Sequence, residues 1–211
     1  MLTVLTVLTV LTVLTVLTVL TVLTKPNLNT QLGFGMLPDG KLDKDGHPED
    51  TVNRTMLERV TFLDGKSVFD IDGGNQHSAA VDGDGNVWTW GRGDSGQLGT
   101  KDKCDPGYFS PLPVKVLLPP PSNCASNSKT LSKIKQISCG SNHNLALSEN
   151  NDVFTWGYGD MLALGHGKEK DENRPRLLKI KTKKNDETWD IKQVRGGGQH
   201  SGFIVEVKNA L

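Results

Sequence analysis

Short apolar runs alternate with clusters of Gly, Asn and Asp from residue 68 onward. Three runs hold the same slot: Val68-Phe69-Asp70-Ile71, Ile134-Lys135-Gln136-Ile137 and Ile191-Lys192-Gln193-Val194. Each leads into a glycine turn, Gly73-Gly74, Cys139-Gly140 or Gly196-Gly197-Gly198, then into a His and a second apolar run. Those second runs are Ser78-Ala79-Ala80-Val81, Asn144-Leu145-Ala146-Leu147 and Ser201-Gly202-Phe203-Ile204-Val205. A tight polar turn and a third run follow in two units, Val87-Trp88-Thr89-Trp90 and Val153-Phe154-Thr155-Trp156. Runs this short, bounded by turn formers, predict antiparallel hairpins. No stretch sustains the 3.6-residue period of a helix. Pro113 to Val116 and Pro175 to Leu178 are predicted outer strands, where a proline at the strand start costs no ladder donor.

The spacing is that of a long repeat. Gln31-Leu32-Gly33, Gln97-Leu98-Gly99 and Ala163-Leu164-Gly165 are offset by 66 residues, as are Trp90-Gly91 and Trp156-Gly157, and His77 and His143. His200 follows His143 by 57, the difference falling where linker length is free. From His to Trp the count is 13 in both complete units. Fixed cores on elastic linkers are how radial repeats behave. Four short strands per unit describe a propeller blade, so the expected fold is all-β, a partial β-propeller of about three blades.

The N-terminus breaks this grammar. Residues 1–24 are Met followed by a perfect Leu-Thr-Val tandem, a low-complexity tail set apart from a repeat region over 25–211. Fifteen of its residues are β-branched and none is charged, and a period of three suits neither helix nor strand. Three readings stay open: an expanded repeat without function, a membrane segment over 2–24, and a targeting signal, the last lacking a basic start and a small-residue cleavage site.

Charge narrows the partners. The 211 residues hold 24 basic and 24 acidic groups, a balance that argues against holding nucleic acid by bulk charge. One local exception is residues 168–184, with eight Lys or Arg against three acidic residues, read as an inter-strand loop that is solvated by default, with contact to DNA phosphate or an acidic histone surface as the alternative. Three cysteines, Cys104, Cys124 and Cys139, at spacings of 20 and 15, form neither a disulfide framework nor a zinc site and suit reduced thiols. No metal and no cofactor are expected. Gly91-Arg92-Gly93-Asp94-Ser95-Gly96 spells a dinucleotide fingerprint, but it runs into Gln97-Leu98-Gly99 where a helix should open. Asp43-Lys44-Asp45-Gly46 lacks the first ligand and closing Glu of a calcium loop, and Asp82-Gly83-Asp84-Gly85 reads as a hairpin turn.

The stretches 70–99 and 136–165 resemble the repeat of the regulator of chromosome condensation family, V-x-x-I-x-C-G-x-x-H-x-x-A-L, then G-x-V-x-x-W-G, then G-Q-L-G. The resemblance runs over residues 30–211 and implies a seven-bladed propeller, of which about three blades are represented. The tail from Trp156 through Val207 is similar to the C-terminal end of the family's chromatin-bound founding member. That likeness implies guanine-nucleotide exchange on the small GTPase Ran. It leaves the family's wedge against the GTPase and its basic chromatin-binding tail outside the matching part.

Exchange requires no nucleophile and no metal held by the factor, since tighter binding of the nucleotide-free GTPase speeds release. An exchange factor or binding protein is therefore expected rather than an enzyme of covalent chemistry. The resemblance implies contact residues on one propeller face, and the candidates are Gln76, His77, His143, Gln199 and His200. Against this stands a structural role for the histidines, one per blade in the same slot, bonded to backbone near the centre. The alternative function is a propeller interaction module, or a truncated remnant without exchange activity. The expected location is nuclear and chromatin-associated, with a cytoplasmic alternative, or a membrane-associated one if 2–24 is a real membrane segment. Open blade edges predict self-association, completion by a missing segment, or a marginal fold.

Overall fold

The computed structural model describes residues 20–21, 58–100, 105–122, 132–180 and 187–209. Two four-stranded antiparallel sheets form complete blades. The first runs β3 (Asp70–Gly73), β4 (His77–Val81), β5 (Val87–Arg92) and β6 (Phe109–Lys115). The second runs β7 (Ile134–Cys139), β8 (His143–Ser148), β9 (Val153–Gly157) and β10 (Glu172–Leu177). Among the described residues a third sheet holds two strands, β11 (Glu187–Gly196) and β12 (Ser201–Asn209). Ahead of all of these, β1 (Leu20–Thr21) pairs with β2 (Glu58–Arg59). The all-β partial propeller is as the repeat spacing implied.

Register repeats as closely as sequence does. Gln136 faces Leu147 and Gln193 faces Ile204, 57 residues on, and both pairs follow the same bulge one residue earlier. Asp70 faces Val81 in the corresponding place. The Trp-Gly anchor has a steric cause: Gly91 and Gly157 sit at φ 95° and 107°, left-handed backbone that favours glycine. A Cβ there would stand 2.6 Å from the Gln76 carbonyl and 2.5 Å from that of Asn142.

The core lies between blades rather than within one. Ala79 and Val81 of the first blade, Ile134, Ile137, Ala146, Phe154 and Trp156 of the second, and the linker residues Val116 and Leu118 form one buried cluster. Leu145, Leu147 and Val153 repeat it against Ile191 and Val194, with Leu178 and Ile180 from the next linker. A smaller cluster, Val60, Leu63, Val68, Ala80 and Trp90, covers the other side of the first blade. Alternate residues of each second strand thus face opposite neighbours, as period-two geometry requires.

The structure amends one expectation. The basic stretch 168–184 is not loop throughout, because Glu172–Leu177 is the outermost strand β10, with Arg176 paired to Glu172. Pro175 opens no strand but lies inside β10, at the register irregularity between Glu172 and Arg176, where a missing donor is tolerated. Pro113 likewise sits within β6. The Leu-Thr-Val tract apart from Leu20–Thr21, residues 37–50, and Cys104 and Cys124 lie outside the described residues. No helix among the described residues is long and apolar enough to cross a membrane.

Candidate functional site

The turns joining first to second strands gather on one face. Asn75 N donates to Ser141 O at 2.9 Å, and Ser141 N donates to Gly197 O at 3.1 Å. The three turns therefore hold one another, and they set Gln76, Asn142 and Gln199 in a row. A cleft between them is lined by Asn75, Ser141, Asn142, Tyr158, Asp160 and Gln199. Gln76 is half-buried, its Oε1 accepting from Arg92 Nη1 at 2.6 Å, while Asp94 grips the same guanidinium. Gln199 and His200 are exposed.

His77 and His143 are placed differently. Both side chains are buried. His77 Nε2 meets Asn144 Oδ1 of the next blade at 2.9 Å, and His143 Nε2 meets Ser201 Oγ at 3.1 Å. The partner is thus the residue just after the next histidine, a side chain rather than backbone. Asn144 Nδ2 in turn donates to Gln97 O at 2.8 Å, which fixes its oxygen toward His77 and makes Nε2 the protonated nitrogen. Ser201 Oγ donates to Ala163 O at 2.7 Å, the place equivalent to Gln97. Each histidine is a latch between neighbouring blades, with Gly74 and Gly140 packed flat on the rings. Burial is the main cause that pushes the His77 pKa down to about 4, and it lowers that of His143.

A second series of rungs crosses the joints nearer the axis. Asp70 Oδ2 accepts from Ile137 N at 2.8 Å, and Gln136 Oε1 accepts from Val194 N at 2.9 Å. Asp72 Oδ2 accepts from Cys139 N at 2.8 Å, and Ser138 Oγ accepts from Gly196 N at 3.1 Å. Burial raises the Asp70 pKa, and it pushes the Cys139 thiol well above its usual value with Asp72 and Asp70 adding to the effect. These polar residues escaped the sequence reading. The signal was present, since Asn144, Ser201, Asp70 and Gln136 are polar positions inside apolar runs at repeat spacing. The turn at Asp82 was legible. Burial works to raise its carboxyl, but bonds from Trp88 Nε1, from Asn86 and from Asp84 N hold it below the usual range.

No group of three or more His, Cys, Asp or Glu among the described residues is placed to hold a metal. The arrangement suits recognition by a polar face on a rigid base. The family model of the regulator of chromosome condensation (RCC1) repeat matches residues 84–147 and 150–204, and a second model of that repeat matches 70–97 and 134–161.

The chain belongs to the RCC1 repeat family.

Its relatives differ in what they are named for. It is 31% identical to the ultraviolet-B receptor UVR8 of Arabidopsis thaliana over 174 residues, covering 82% of the chain and 34% of UVR8. It is 32% identical to the human E3 ubiquitin-protein ligase HERC2 over 113 residues, 52% of the chain and 2% of HERC2. Among solved structures, Prp20p of Saccharomyces cerevisiae superposes with a TM-score of 0.62 at 27% identity, over 85% of the chain and 38% of Prp20p. That structure was described together with its binding to Gsp1p and histones. The chain spans about a third of UVR8 and under two fifths of Prp20p.

Proposed function

We propose that this RCC1-repeat chain is a guanine-nucleotide exchange factor-like protein that binds the small GTPase Ran through the turn face of its blades. The observation that carries the reading is the row of mutually bonded turns, which presents Gln76, Gln199 and His200 at the surface on a base latched by His77 and His143. Gln76, Gln199 and His200 would touch the GTPase, and the two buried histidines would act only by positioning their turns. The likeness to Prp20p, a protein described with its binding to Gsp1p and histones, supports a GTPase partner and a nuclear, chromatin-associated location. Such a face accelerates release by binding the nucleotide-free GTPase better than the loaded one. The basic residues of 168–184 are the proposed contact with chromatin.

The test is the rate of labelled-GDP release from Ran with the chain added, alongside circular dichroism. Faster release that falls at least tenfold in a Gln199→Ala/His200→Ala variant of unchanged β signal supports the proposal. No acceleration by a β-folded sample overturns it. That outcome favours the second reading, an interaction module without exchange activity, which the shared repeat in HERC2 and UVR8 supports.

A further inference from the structure

The two formed joints between blades share one composition, and the two outward faces of the chain carry its separated halves. At the first joint Val81 faces the second blade and is fully buried, and at the second joint Leu147 does the same. Ile204 occupies the equivalent register on β12, yet it is 59% exposed. On the receiving side Ile137 and Val194 are buried at 1% and 0%, whereas Ile71, their equivalent on β3, is 42% exposed. The cluster of Val60, Leu63, Val68, Ala80 and Trp90 has the membership of the first joint without its opposite wall. Val60 and Leu63 stand for Val116 and Leu118, Val68 for Ile134, Ala80 for Ala146 and Trp90 for Trp156. What is missing is the wall contributed by Ala79, Val81 and Val87, of which the first two have Gly202 and Ile204 as equivalents on the third blade.

Polar positions fit the same way. The series of side chains that accept from the following blade, Asp70 and then Gln136, continues at Gln193. Ser138 Oγ reaches back to Asp72 Oδ2 at 3.0 Å across the first joint. In a joint following the third blade Arg195 takes the place of Asp72, so an Asp72 of the next unit would reach back to a guanidinium, which is a match of charge. The strands are complementary too. β2 precedes Val60 as β6 precedes Val116, so β1 and β2 are the third and outermost strands of a blade ahead of β3. β11 and β12 are the first two strands of a blade, and among the described residues β12 pairs with β11 alone.

We propose that copies of this chain join head to tail, the face carrying Gln193, Arg195 and Ile204 of one copy packing on the face carrying Ile71 and Asp72 of the next. β1 and β2 of the second copy then complete the blade begun by β11 and β12 of the first. The described residues of each copy bring two four-stranded blades and two two-stranded halves. Two copies therefore close a ring of six blades, within the range of known propellers. Each joint is head to tail, and the two joints are exchanged by the two-fold axis that relates the copies.

Light scattering coupled to gel filtration on the full chain tests this. The expected species has twice the 22.9 kDa mass of one chain. Ile204→Asp alone and Ile71→Asp alone each lesion both joints of the ring and are expected to give the single-chain mass with an unchanged β signal, both side chains being exposed. Mixed together they leave one joint with both wild-type partners, so the two-chain mass returns as an open pair. Aggregation by the Leu-Thr-Val tract would ignore both substitutions, and a mass that ignores them overturns the proposal. So does a wild-type chain that stays single at every concentration. A two-chain mass lost with Ile204→Asp but kept with Ile71→Asp overturns it as well, since it would mean β12 pairing edge to edge with its own copy. Open polymers dissolved by both variants would overturn closure at six blades.

Discussion

Asn144 is held between two blades, its Oδ1 accepting from His77 Nε2 at 2.9 Å while its Nδ2 donates to the Gln97 carbonyl at 2.8 Å. All three groups are buried, so none finds water if the amide is removed. Asn144→Ala is expected to cost about 2–3 kcal/mol, the penalty for stranding buried polar partners. Asn144→Ser, which copies the residue the chain itself uses at Ser201, should recover part of that loss. Urea unfolding of the two variants against the parent checks the order. Equal stability of the Ala variant and the parent would refute the latch.

The latch also sets a pH dependence. His77 is neutral in the folded protein, with a pKa of about 4 against 6.5 unfolded. A histidine with a depressed folded pKa binds its proton more readily unfolded. Its contribution is complete above pH 6.5 and is lost as pH falls toward 4, by on the order of 3 kcal/mol over the window. Stability measured between pH 7 and 4 should fall, and a His77→Gln variant should show a shallower fall across the same window. Parallel slopes would assign the acid sensitivity to other groups.

The histidine rings need their glycines. A Cβ at Gly140 would overlap the His143 ring and stand 2.6 Å from the Gly197 carbonyl. Neither ring nor backbone gives way cheaply, and Gly140→Ala is expected to cost more than about 3 kcal/mol. Gly198, one turn on, meets only Ser141 Oγ at 3.9 Å, and Gly198→Ala should stay within about 0.5 kcal/mol of the parent. Thermal melts of both variants would separate a packed position from an open one.

Met161 and Leu162 stand at φ 51° and 60°, where the first blade has Ser95 and Gly96. Large side chains in left-handed backbone carry about 1 kcal/mol of strain each. Both are exposed, so removing them forfeits little packing. Leu162→Gly is expected to raise stability by about 0.5–1 kcal/mol, read as a higher denaturant midpoint at unchanged slope.

How much of this was legible in the sequence follows from what each residue does. The strands of the blades could be read because apolar runs and glycine turns are local signals, and the 66-residue offset put Val81 and Leu147 in the same slot of successive units. A structural role for His77 and His143 near the centre was readable from their shared slot, but their partners were not, because each lies on another blade about 60 residues away and pairing across that gap leaves no local trace. Position in the repeat would have supplied it: Asn144 and Ser201 share a slot, and a polar side chain inside an apolar strand must have a buried partner. The extent of β10 was missed because eight basic residues over 168–184 read as solvated loop, while an outermost strand is equally free to carry charge.

The rungs at Asp70, Gln136, Asp72 and Ser138 have an evolutionary corollary. Both formed joints are built from the same two slots, with the acceptor on one blade and the backbone donor on the next. A duplicated or deleted unit inherits both sides of the joint at birth, so blade number can drift in a lineage without any new contact having to be invented.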